Sequence, residues 1–261
     1  MQNLTLRSNA KVNLSLDVLG VKNSGPQKGH HFIQTVFCEI TPQNTHGFQP
    51  DIIHIRVSGA KKNEIKISGN LPKSIDEKDN TLIKAAEIIL KNYCKNSHKK
   101  IEIEVEKNIP ISSGLGGGSS NGATVLKALN EILNLELTTK KLESLAVNIG
   151  MDAPFFIRGG IALGENFGEI ITPLPKVNGL SFTIFPFSGD ARKTESAYKK
   201  LDLSKCAKNA DKTLAIIHAI KTNDSFAIHR NIHNDFETIL KSPLPQNHHL
   251  SGSGPTVFIL A

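Results

Sequence analysis

Apolar and polar residues alternate along much of the first third of the chain, and this spacing predicts β-strands. Leu4 and Leu6 show it, as do the apolar positions from Val12 to Val18. The same two-residue period recurs in further segments, at 53–57, 65–67 and 101–106. Such alternation places one face of a strand in the core and the other in water, which is typical of an antiparallel sheet.

The middle of the chain shows helical spacing of its apolar residues. A helix is predicted at about 79–93, where Asp79 or Asn80 can cap the first turn. Two more helices are predicted at about 120–133 and 138–149. The second of these ends at Gly150, a residue suited to the left-handed position that follows a helix.

The pattern changes after Gly159 and Gly160. It predicts strands at 161–164, 169–172, 180–186 and 256–260, and helices at 194–200, 211–220 and 223–240. Groups of strands followed by helices favour an α+β fold over an alternating α/β fold. We expect a domain boundary near 155–165, which divides the chain into residues 1–160 and 161–261.

Composition is that of a globular protein, with 39% hydrophobic and 21% charged residues. The 261 residues suffice for one large domain or two small ones. There is no apolar run of about 18 residues and no unbroken apolar stretch at the N-terminus, so we expect no membrane partner and no secretory signal. The three cysteines are far apart and fit neither a disulfide framework nor a zinc pattern, which favours the cytoplasm.

The charge balance is basic, since 31 basic minus 24 acidic residues leave a net charge of +7. A basic surplus favours anionic partners. The lysines are scattered, and with no Trp and two Tyr the chain offers few aromatic side chains on which single-stranded nucleic acid could stack. We therefore expect a phosphorylated small molecule as the partner, and no nucleic acid.

A glycine-rich segment between the predicted strand at 101–106 and the helix at 120–133 carries the most chemical information. It reads Pro110, Ile111, Ser112, Ser113, Gly114, Leu115, Gly116, Gly117, Gly118, Ser119, Ser120 and Asn121. Four glycines in five positions allow backbone N–H groups to converge on an anion, and the helix N-terminus adds partial positive charge. Ser119 and Ser120 supply hydroxyls for phosphate oxygens or for a magnesium ion.

Other glycine motifs fit this segment less well. A Walker A loop requires Lys before the Ser, but here Gly118 precedes Ser119. The dinucleotide fingerprint fails because the frame from Gly114 ends in Ser. The frame 118–122 does match G-x-S-x-G, the nucleophile elbow of α/β-hydrolases, although it follows a loop and not a buried strand. That elbow and a plain helix-capping turn stay open as alternatives.

The segment resembles the phosphate-binding loop of the GHMP kinases, the superfamily of galactose, homoserine, mevalonate and phosphomevalonate kinases. The family pattern Pro-x-x-x-Gly-Leu-Gly-Ser-Ser appears at 110–120 with two extra glycines. Further segments resemble the family in the same order, namely Ala10-Lys11-Val12-Asn13-Leu14, 29–37, Asp79-Asn80, 150–156 and Leu250-Ser251-Gly252-Ser253-Gly254. Asn9 stands where the family usually has Pro, and His30 where it usually has Tyr.

The resemblance implies a two-domain GHMP kinase fold. Its N-terminal domain is similar to domain 2 of ribosomal protein S5, its C-terminal domain is a ferredoxin-like α/β sandwich, and the active site lies in the cleft between them. It implies ATP and Mg²⁺ as cofactors. Family chains usually continue with another helix and strand beyond the strand at 256–260, so we expect either a short member or an incomplete second sheet. A monomer or weak homodimer is expected.

The resemblance also implies two catalytic residues, Lys11 and Asp152. A kinase must hold the triphosphate, orient an alcohol and manage the proton of that alcohol. Asp152 would accept the proton, and Lys11 would keep Asp152 ionised and stabilise charge on the attacking oxygen. Taken alone, Asp152 also fits a turn and Lys11 a solvated strand face.

Ligand-binding residues are implied in the same way. For ATP they are Pro110, Ile111, Ser112, Ser113, Gly114, Leu115, Gly116, Gly117, Gly118, Ser119 and Ser120, together with Asn80 and Lys107. The triple-glycine loop is most similar to the branch whose substrate is a cytidine diphosphate-linked methylerythritol. The residues implied to bind this substrate are Asn13, His30, His31, Thr194 and Tyr198.

The aromatic members of this set have distinct expected roles. His31 would read the edge of the cytosine, while His30 and Tyr198 would stack on its faces. An exposed polar loop is the alternative for the two histidines, and no metal-ligating set is predicted. Another GHMP kinase, such as a homoserine kinase, and a catalytically inactive nucleotide-binding regulator also stay open.

Overall fold

The computed structural model describes residues 2–71, 79–95, 97–185 and 194–261, and the chain divides into two compact units. The first unit comprises Met1–Asn9, Gln49–Ile109 and Gly117–Arg158, and the second comprises Ala10–Phe48, Pro110–Gly116 and Gly159–Ala261. The passage at Arg158 and Gly159 lies within the predicted boundary region. Residues 10–48 and 110–116, which we expected in the first domain, belong to the second unit.

The first unit contains a four-stranded sheet. Its strands are β1 (Gln2–Ser8), β4 (Asp51–Gly59), β5 (Glu64–Gly69) and β6 (Lys99–Glu106), in the order β1-β4-β6-β5. All neighbours are antiparallel except β5 and β6. Ile53 and Ile55 of β4 and Ile101 and Ile103 of β6 are buried on one face. The predicted alternation is confirmed here.

Among its described residues, the first unit has four helices. They are α1 (Thr81–Tyr93), α2 (Gly117–Ile132), α3 (Thr139–Ala146) and α4 (Ala153–Arg158). Asn80 caps α1 as expected, because its side chain accepts a hydrogen bond from the backbone N–H of Leu82. Helix α2 begins three residues before the predicted start at 120, and α4 is a further helix that the periodicity did not predict.

The second unit contains two sheets. One has the order β10-β2-β3-β7-β8, with strands β2 (Ala10–Val21), β3 (His31–Ile40), β7 (Ile161–Glu165), β8 (Ile170–Leu174) and β10 (His233–Asn234). The other has the order β11-β12-β9, with strands β9 (Phe182–Phe185), β11 (His249–Leu250) and β12 (Val257–Leu260). The strand predicted at 180–186 is therefore present, and residue 186 itself lies outside the described residues.

Strand β2 departs from the prediction that its polar face lies in water. Every residue from Ala10 to Val18 is buried, including the polar side chains of Lys11, Asn13 and Asp17, none of which is more than 3% exposed. Buried polar groups require hydrogen-bond partners, so the polar face of β2 must be satisfied from within the protein.

The helices of the second unit are α5 (Thr194–Tyr198), α6 (Ala210–Thr222) and α7 (Ser225–Asn231). The single helix predicted at 223–240 is wrong, because α7 ends at Asn231 and His233 and Asn234 form β10, parallel to β2. A 3-10 turn at 235–239 follows, and the Asn234 side chain caps it. Among the described residues, none of the helices is long and apolar enough to cross a membrane.

A buried ion pair joins β10 to β2. The Asp17 carboxylate is fully buried and accepts hydrogen bonds from Thr213 Oγ1, at 2.6 Å, and from His233 Nε2, at 3.1 Å. Burial disfavours the charged imidazole, but the hydrogen bond to Asp17 and the charge of its carboxylate outweigh it and raise the pKa of His233 above its ordinary value.

We expect His233→Gln to lower the free energy of unfolding by about 3 kcal/mol near pH 5.5, because it removes the charged partner of a buried carboxylate. The loss should be smaller near pH 8.5. A raised pKa in the folded state contributes stability that is fully present below the ordinary histidine pKa and is lost as the pH rises through the folded-state value.

Urea denaturation at about pH 5.5 and 8.5 measures this difference. His218→Gln, in the exposed part of α6, is the matched control and should change stability little at either pH. An equal cost of His233→Gln at the two pH values would contradict the role of the ion pair.

Candidate active site

The part of the glycine loop that belongs to the second unit has a backbone that requires glycine. Gly114 and Gly116 have φ values of +83° and +71°, in the left-handed region that side chains disfavour. A Cβ atom on Gly114 would also overlap the carbonyl oxygen of Ser251. Ser112 adopts a left-handed φ of +53° as well. Glycine is therefore required at 114 and 116, and Gly114 packs closely against the 250–254 segment.

The remaining part of the loop forms the first turn of α2, in the first unit. Gly117 is buried against the Ile109 side chain, where a Cβ would be crowded, whereas a Cβ on Gly118 would meet nothing within 4 Å. The first N–H groups of a helix have no partner within the helix and carry partial positive charge. Gly118 and the half-buried Ser119 are thus the places where an anion can approach this turn.

Ser120 is turned into the protein. It is 2% exposed, and its hydroxyl lies 2.8 Å from that of Ser8 in β1, which in turn lies 2.7 Å from Asn121 Oδ1. This contact fixes the start of α2 on the sheet. Of the two predicted phosphate or magnesium hydroxyls, Ser119 is the one on the accessible side. Ser8 was missed because an isolated serine at a strand end carries no sequence signal.

Lys107, expected to contact ATP, makes its described contacts within the first unit. Its ammonium donates to Asp51 Oδ2, at 2.5 Å, and to the carbonyl of Ile109, at 2.6 Å. Burial lowers the pKa of Lys107, and the Asp51 carboxylate opposes this shift. The ammonium also lies where a Cβ on Gly117 would come within 3.1 Å of it. Lys107 therefore supports the first turn of α2 together with Asp51, a residue that the sequence did not reveal.

The cap of α1 is connected to the same turn. Asn80, another expected ATP ligand, accepts from Leu82 N at 3.0 Å, and the neighbouring Thr81 Oγ1 donates to the Gly118 carbonyl at 2.7 Å. The start of α1 thus lies beside the start of α2.

Asp152 lies in the turn that precedes α4. It is half-buried. Two residues earlier, a Cβ on Gly150 would lie 3.4 Å from Ser119 Oγ, so the turn that carries Asp152 packs against the first turn of α2. Within the first unit, the turn that carries the predicted base therefore lies beside the predicted phosphate-binding turn.

Lys11 lies in β2, in the second unit, with 3% exposure. Its ammonium donates to Asn13 Oδ1 and to the Gly114 carbonyl, each at 2.7 Å, and its backbone N–H donates to the Leu115 carbonyl at 2.9 Å. It also lies 5.8 Å from the centre of the Phe37 ring. The predicted catalytic lysine is thus in direct contact with the glycine loop.

Asn13, expected to bind substrate, connects protein groups on both sides of its amide. Its Oδ1 accepts from Lys11 and from the Gly252 N–H, at 2.9 Å, and its Nδ2 donates to Thr35 Oγ1 at 2.7 Å. It is 2% exposed. Through these hydrogen bonds, Asn13 positions both Lys11 and the 250–254 loop.

The two histidines differ in their surroundings. The His31 ring is stacked on Tyr198, with centres 4.4 Å apart and planes 24° apart. The His30 ring instead packs on Phe167, with centres 5.5 Å apart, and its Nδ1 lies 2.9 Å from the Gln27 carbonyl. Burial, and then the neighbouring His30, lower the pKa of His31, so it is neutral at pH 7. The structure brings together His31 and Tyr198, and it leaves His30 on a different aromatic ring.

Thr194, the remaining expected substrate ligand, begins α5 and is exposed. Its hydroxyl lies 3.4 Å from Ser253 Oγ of the 250–254 loop. Tyr198, one turn further on, makes an edge contact with Phe236, whose ring centre is 4.9 Å away. Helix α5 thus carries its two predicted ligands beside the same loop that contacts Lys11.

Within the described residues, no group of three or more His, Cys, Asp or Glu side chains could hold a metal ion. A groove of about 1020 Å³ lies elsewhere in the first unit, lined by residues that include Ile65, Ile83, Glu87 and Asn148, and it contains none of the predicted ligands.

Comparison with known proteins agrees with the resemblance. Residues 80–160 match the N-terminal domain of GHMP kinases. The chain is 34% identical to the 4-diphosphocytidyl-2-C-methyl-D-erythritol kinase of Alkaliphilus metalliredigens, covering 99% of this chain and 88% of that one. It is 34% identical to the kinase of the same name from Clostridioides difficile, covering 99% and 86%.

Solved structures share the fold. A 4-(cytidine 5'-diphospho)-2C-methyl-D-erythritol kinase aligns with a TM-score of 0.70 at 24% identity, covering 99% of this chain and 90% of that one. The homoserine kinase of Cytophaga hutchinsonii aligns with a TM-score of 0.71 at 19% identity, covering 100% and 85%. These two structures show the two-domain GHMP kinase fold. The relatives that are 34% identical identify the family within that superfamily. The chain therefore belongs to the GHMP kinase superfamily and, within it, to the family of 4-diphosphocytidyl-2-C-methyl-D-erythritol kinases.

Proposed function

We propose that the protein transfers the γ-phosphoryl group of ATP to the 2-hydroxyl of 4-diphosphocytidyl-2-C-methyl-D-erythritol, a step of the methylerythritol phosphate route to isoprenoid precursors. The observation that carries the proposal is the contact of the Lys11 ammonium with the Gly114 carbonyl, because it joins a catalytic cation to the phosphate loop. Two relatives named 4-diphosphocytidyl-2-C-methyl-D-erythritol kinase, each aligned over 99% of this chain, support the choice of substrate. We propose that it acts in the cytoplasm, as a monomer or weak homodimer, without nucleic acid or membrane.

The glycine loop would hold the phosphates of ATP. Backbone N–H groups at the start of α2 point away from the helix and favour negative charge. Gly118 leaves open space for a phosphate, and Ser119 adds a hydroxyl at the same turn. Asn80 and Lys107 would contact ATP beside this turn. Asn80 caps α1, whose Thr81 donates to the Gly118 carbonyl, and the Lys107 ammonium lies next to Gly117.

Asp152 and Lys11 would act on the same hydroxyl group. The hydroxyl oxygen forms a bond to the γ-phosphorus while the bond between that phosphorus and the bridging oxygen of ADP breaks. The hydroxyl proton passes to the Asp152 carboxylate. The Lys11 ammonium stabilises the negative charge that builds on the attacking oxygen.

Magnesium fits the donors at this turn. The ion prefers oxygen ligands and is usually held by one or two protein oxygens together with substrate phosphates. The Ser119 hydroxyl, beside Gly150, is the side-chain oxygen that would hold it. When bound, it neutralises charge on the phosphates.

The stacked pair of His31 and Tyr198 would bind the cytosine. A planar base fits an aromatic surface of this kind, and a neutral imidazole can donate to or accept from its edge. Homoserine has no such group, so this pair favours the cytidylated alcohol over the alternative substrate.

The assay that tests the proposal offers ATP with three alcohols in separate reactions: the cytidylated methylerythritol, homoserine and mevalonate. We expect ADP release and a phosphorylated product with the first alone. Release with homoserine instead would support the alternative kinase. Release with none would favour the inactive nucleotide-binding regulator and would refute the proposal.

Substitution of Asp152 by Asn tests the base. We expect turnover to fall by about 10²–10⁴-fold, since the amide cannot accept the proton, while ATP affinity stays nearly unchanged. Steady-state kinetics and calorimetric ATP titration measure the two effects. Asp211→Asn, at an exposed position of α6, should behave as the wild type. Turnover of Asp152→Asn close to that of the wild type would remove Asp152 from the mechanism.

A pair of alanine variants tests the assignment of the histidines. His31→Ala should raise the KM for the cytidylated substrate by about 10–100-fold through the loss of stacking and one hydrogen bond, with a smaller effect on kcat. His30→Ala should change KM by less than about threefold, since His30 packs on Phe167 and not on Tyr198. A larger effect of His30→Ala would reverse the assignment.

A further inference from the structure

Asn234 uses both ends of its side chain to hold backbone groups in place. Its Nδ2 donates to the carbonyls of Leu250 and Gly252, each at 2.8 Å, and its Oδ1 accepts from the Phe236 N–H at 2.9 Å. The residue is 5% exposed. It therefore spans the 250–254 loop and the 3-10 turn that follows β10.

The loop that Asn234 holds contacts Lys11. The Gly252 N–H donates to Asn13 Oδ1, the same atom that accepts from the Lys11 ammonium. A Cβ on Gly252 would lie 3.0 Å from the ammonium nitrogen, so the loop backbone packs directly on it. Ser251 Oγ donates to the Gly114 carbonyl at 3.0 Å, which is also an acceptor for Lys11.

The residues on either side fix Asn234 on the sheet. His233 is paired with Asp17, and Asp235 Oδ2 accepts from the N–H groups of Val18 and Ala207, at 2.7 and 2.8 Å. His233 and Asn234 also lie opposite Ser15 and Leu16 in the parallel pairing with β2. Three consecutive polar residues thus anchor one short segment to the strand that carries Lys11.

We propose that Asn234 is a positioning residue for phosphoryl transfer, acting through Gly252 and Asn13 on the ammonium of Lys11; this inference rests on the proposed function. Asn234 has two donors for two carbonyls and one acceptor for one N–H. Asn234→Asp keeps the shape and the acceptor but sets a carboxylate oxygen against the carbonyls of Leu250 and Gly252. That repulsion displaces Gly252 from Asn13 and leaves Lys11 less well held.

The test compares Asn234→Asp with the wild-type enzyme and with Asn231→Asp. Asn231 lies three residues earlier, and its side chain donates to the Ala227 carbonyl of α7, away from the loop. For Asn234→Asp we expect kcat to fall about 10–100-fold while the KM for ATP changes less than about threefold. Asn231→Asp should keep kcat. Asn234→Ala, which removes the donors without adding charge, serves if Asn234→Asp does not fold.

Substitution in a Lys11→Met background shows whether Asn234 acts through Lys11. If it does, the Asn234 change costs little further kcat once Lys11 is absent. An equal fold-loss in both backgrounds, or a kcat of the folded Asn234 variant within about twofold of the wild type, would overturn the inference. Failure of the wild type to phosphorylate any alcohol would instead refute the proposed function, and the two failures are thus distinguishable.

Discussion

The buried ammonium of Lys11 is the interaction on which the arrangement of the second unit's loops depends. A charge removed from water costs several kcal/mol unless hydrogen bonds replace its hydration. At 3% exposure, Lys11 meets this requirement through Asn13 Oδ1 and the Gly114 carbonyl. Because those acceptors belong to β2 and to the glycine loop, the same charge that would assist catalysis also joins the loop to the sheet. The 250–254 loop also packs against the ammonium, through the backbone of Gly252.

Much of the fold follows from local pattern, and the exceptions follow from long-range contacts. The alternating strands of the first unit and the Asn80 cap were predicted, because each depends on neighbouring residues. The prediction that the polar face of β2 is exposed to solvent was wrong. Alternation alone does not show that Lys11 and Asp17 have buried hydrogen-bond partners. The prediction of one helix at 223–240 was also wrong because of distant contacts. The residues around Asn234 pair with β2, some 220 positions away.

Site residues that belong to a sequence motif could be predicted. Residues that support the site only through packing or hydrogen bonds could not. The glycine loop and its resemblance drew attention to Lys11 and Asp152. The structure shows why glycine stands at two of the loop positions. Gly114 has a positive φ and a close backbone contact, and Gly118 leaves open space beside the helix. Asp51 and Asn234 were missed because their partners are distant in the sequence. Asp51 binds Lys107, and Asn234, which was expected inside a helix, binds the carbonyls of Leu250 and Gly252. The sequence assigned stacking to His30 and recognition of the cytosine edge to His31. It could not show that His31 packs on Tyr198 and His30 on Phe167, because those contacts depend on the fold.

The most direct test of the central claim measures amide hydrogen exchange at residues 113–116 and 250–256 in the wild type and in Lys11→Met. If the ammonium holds both loops, exchange should be faster in both segments of the variant and unchanged in α6. Lys28→Met, at an exposed position of the second unit, controls for the loss of a positive charge. Protection of both loops equal to that of the wild type would contradict the account.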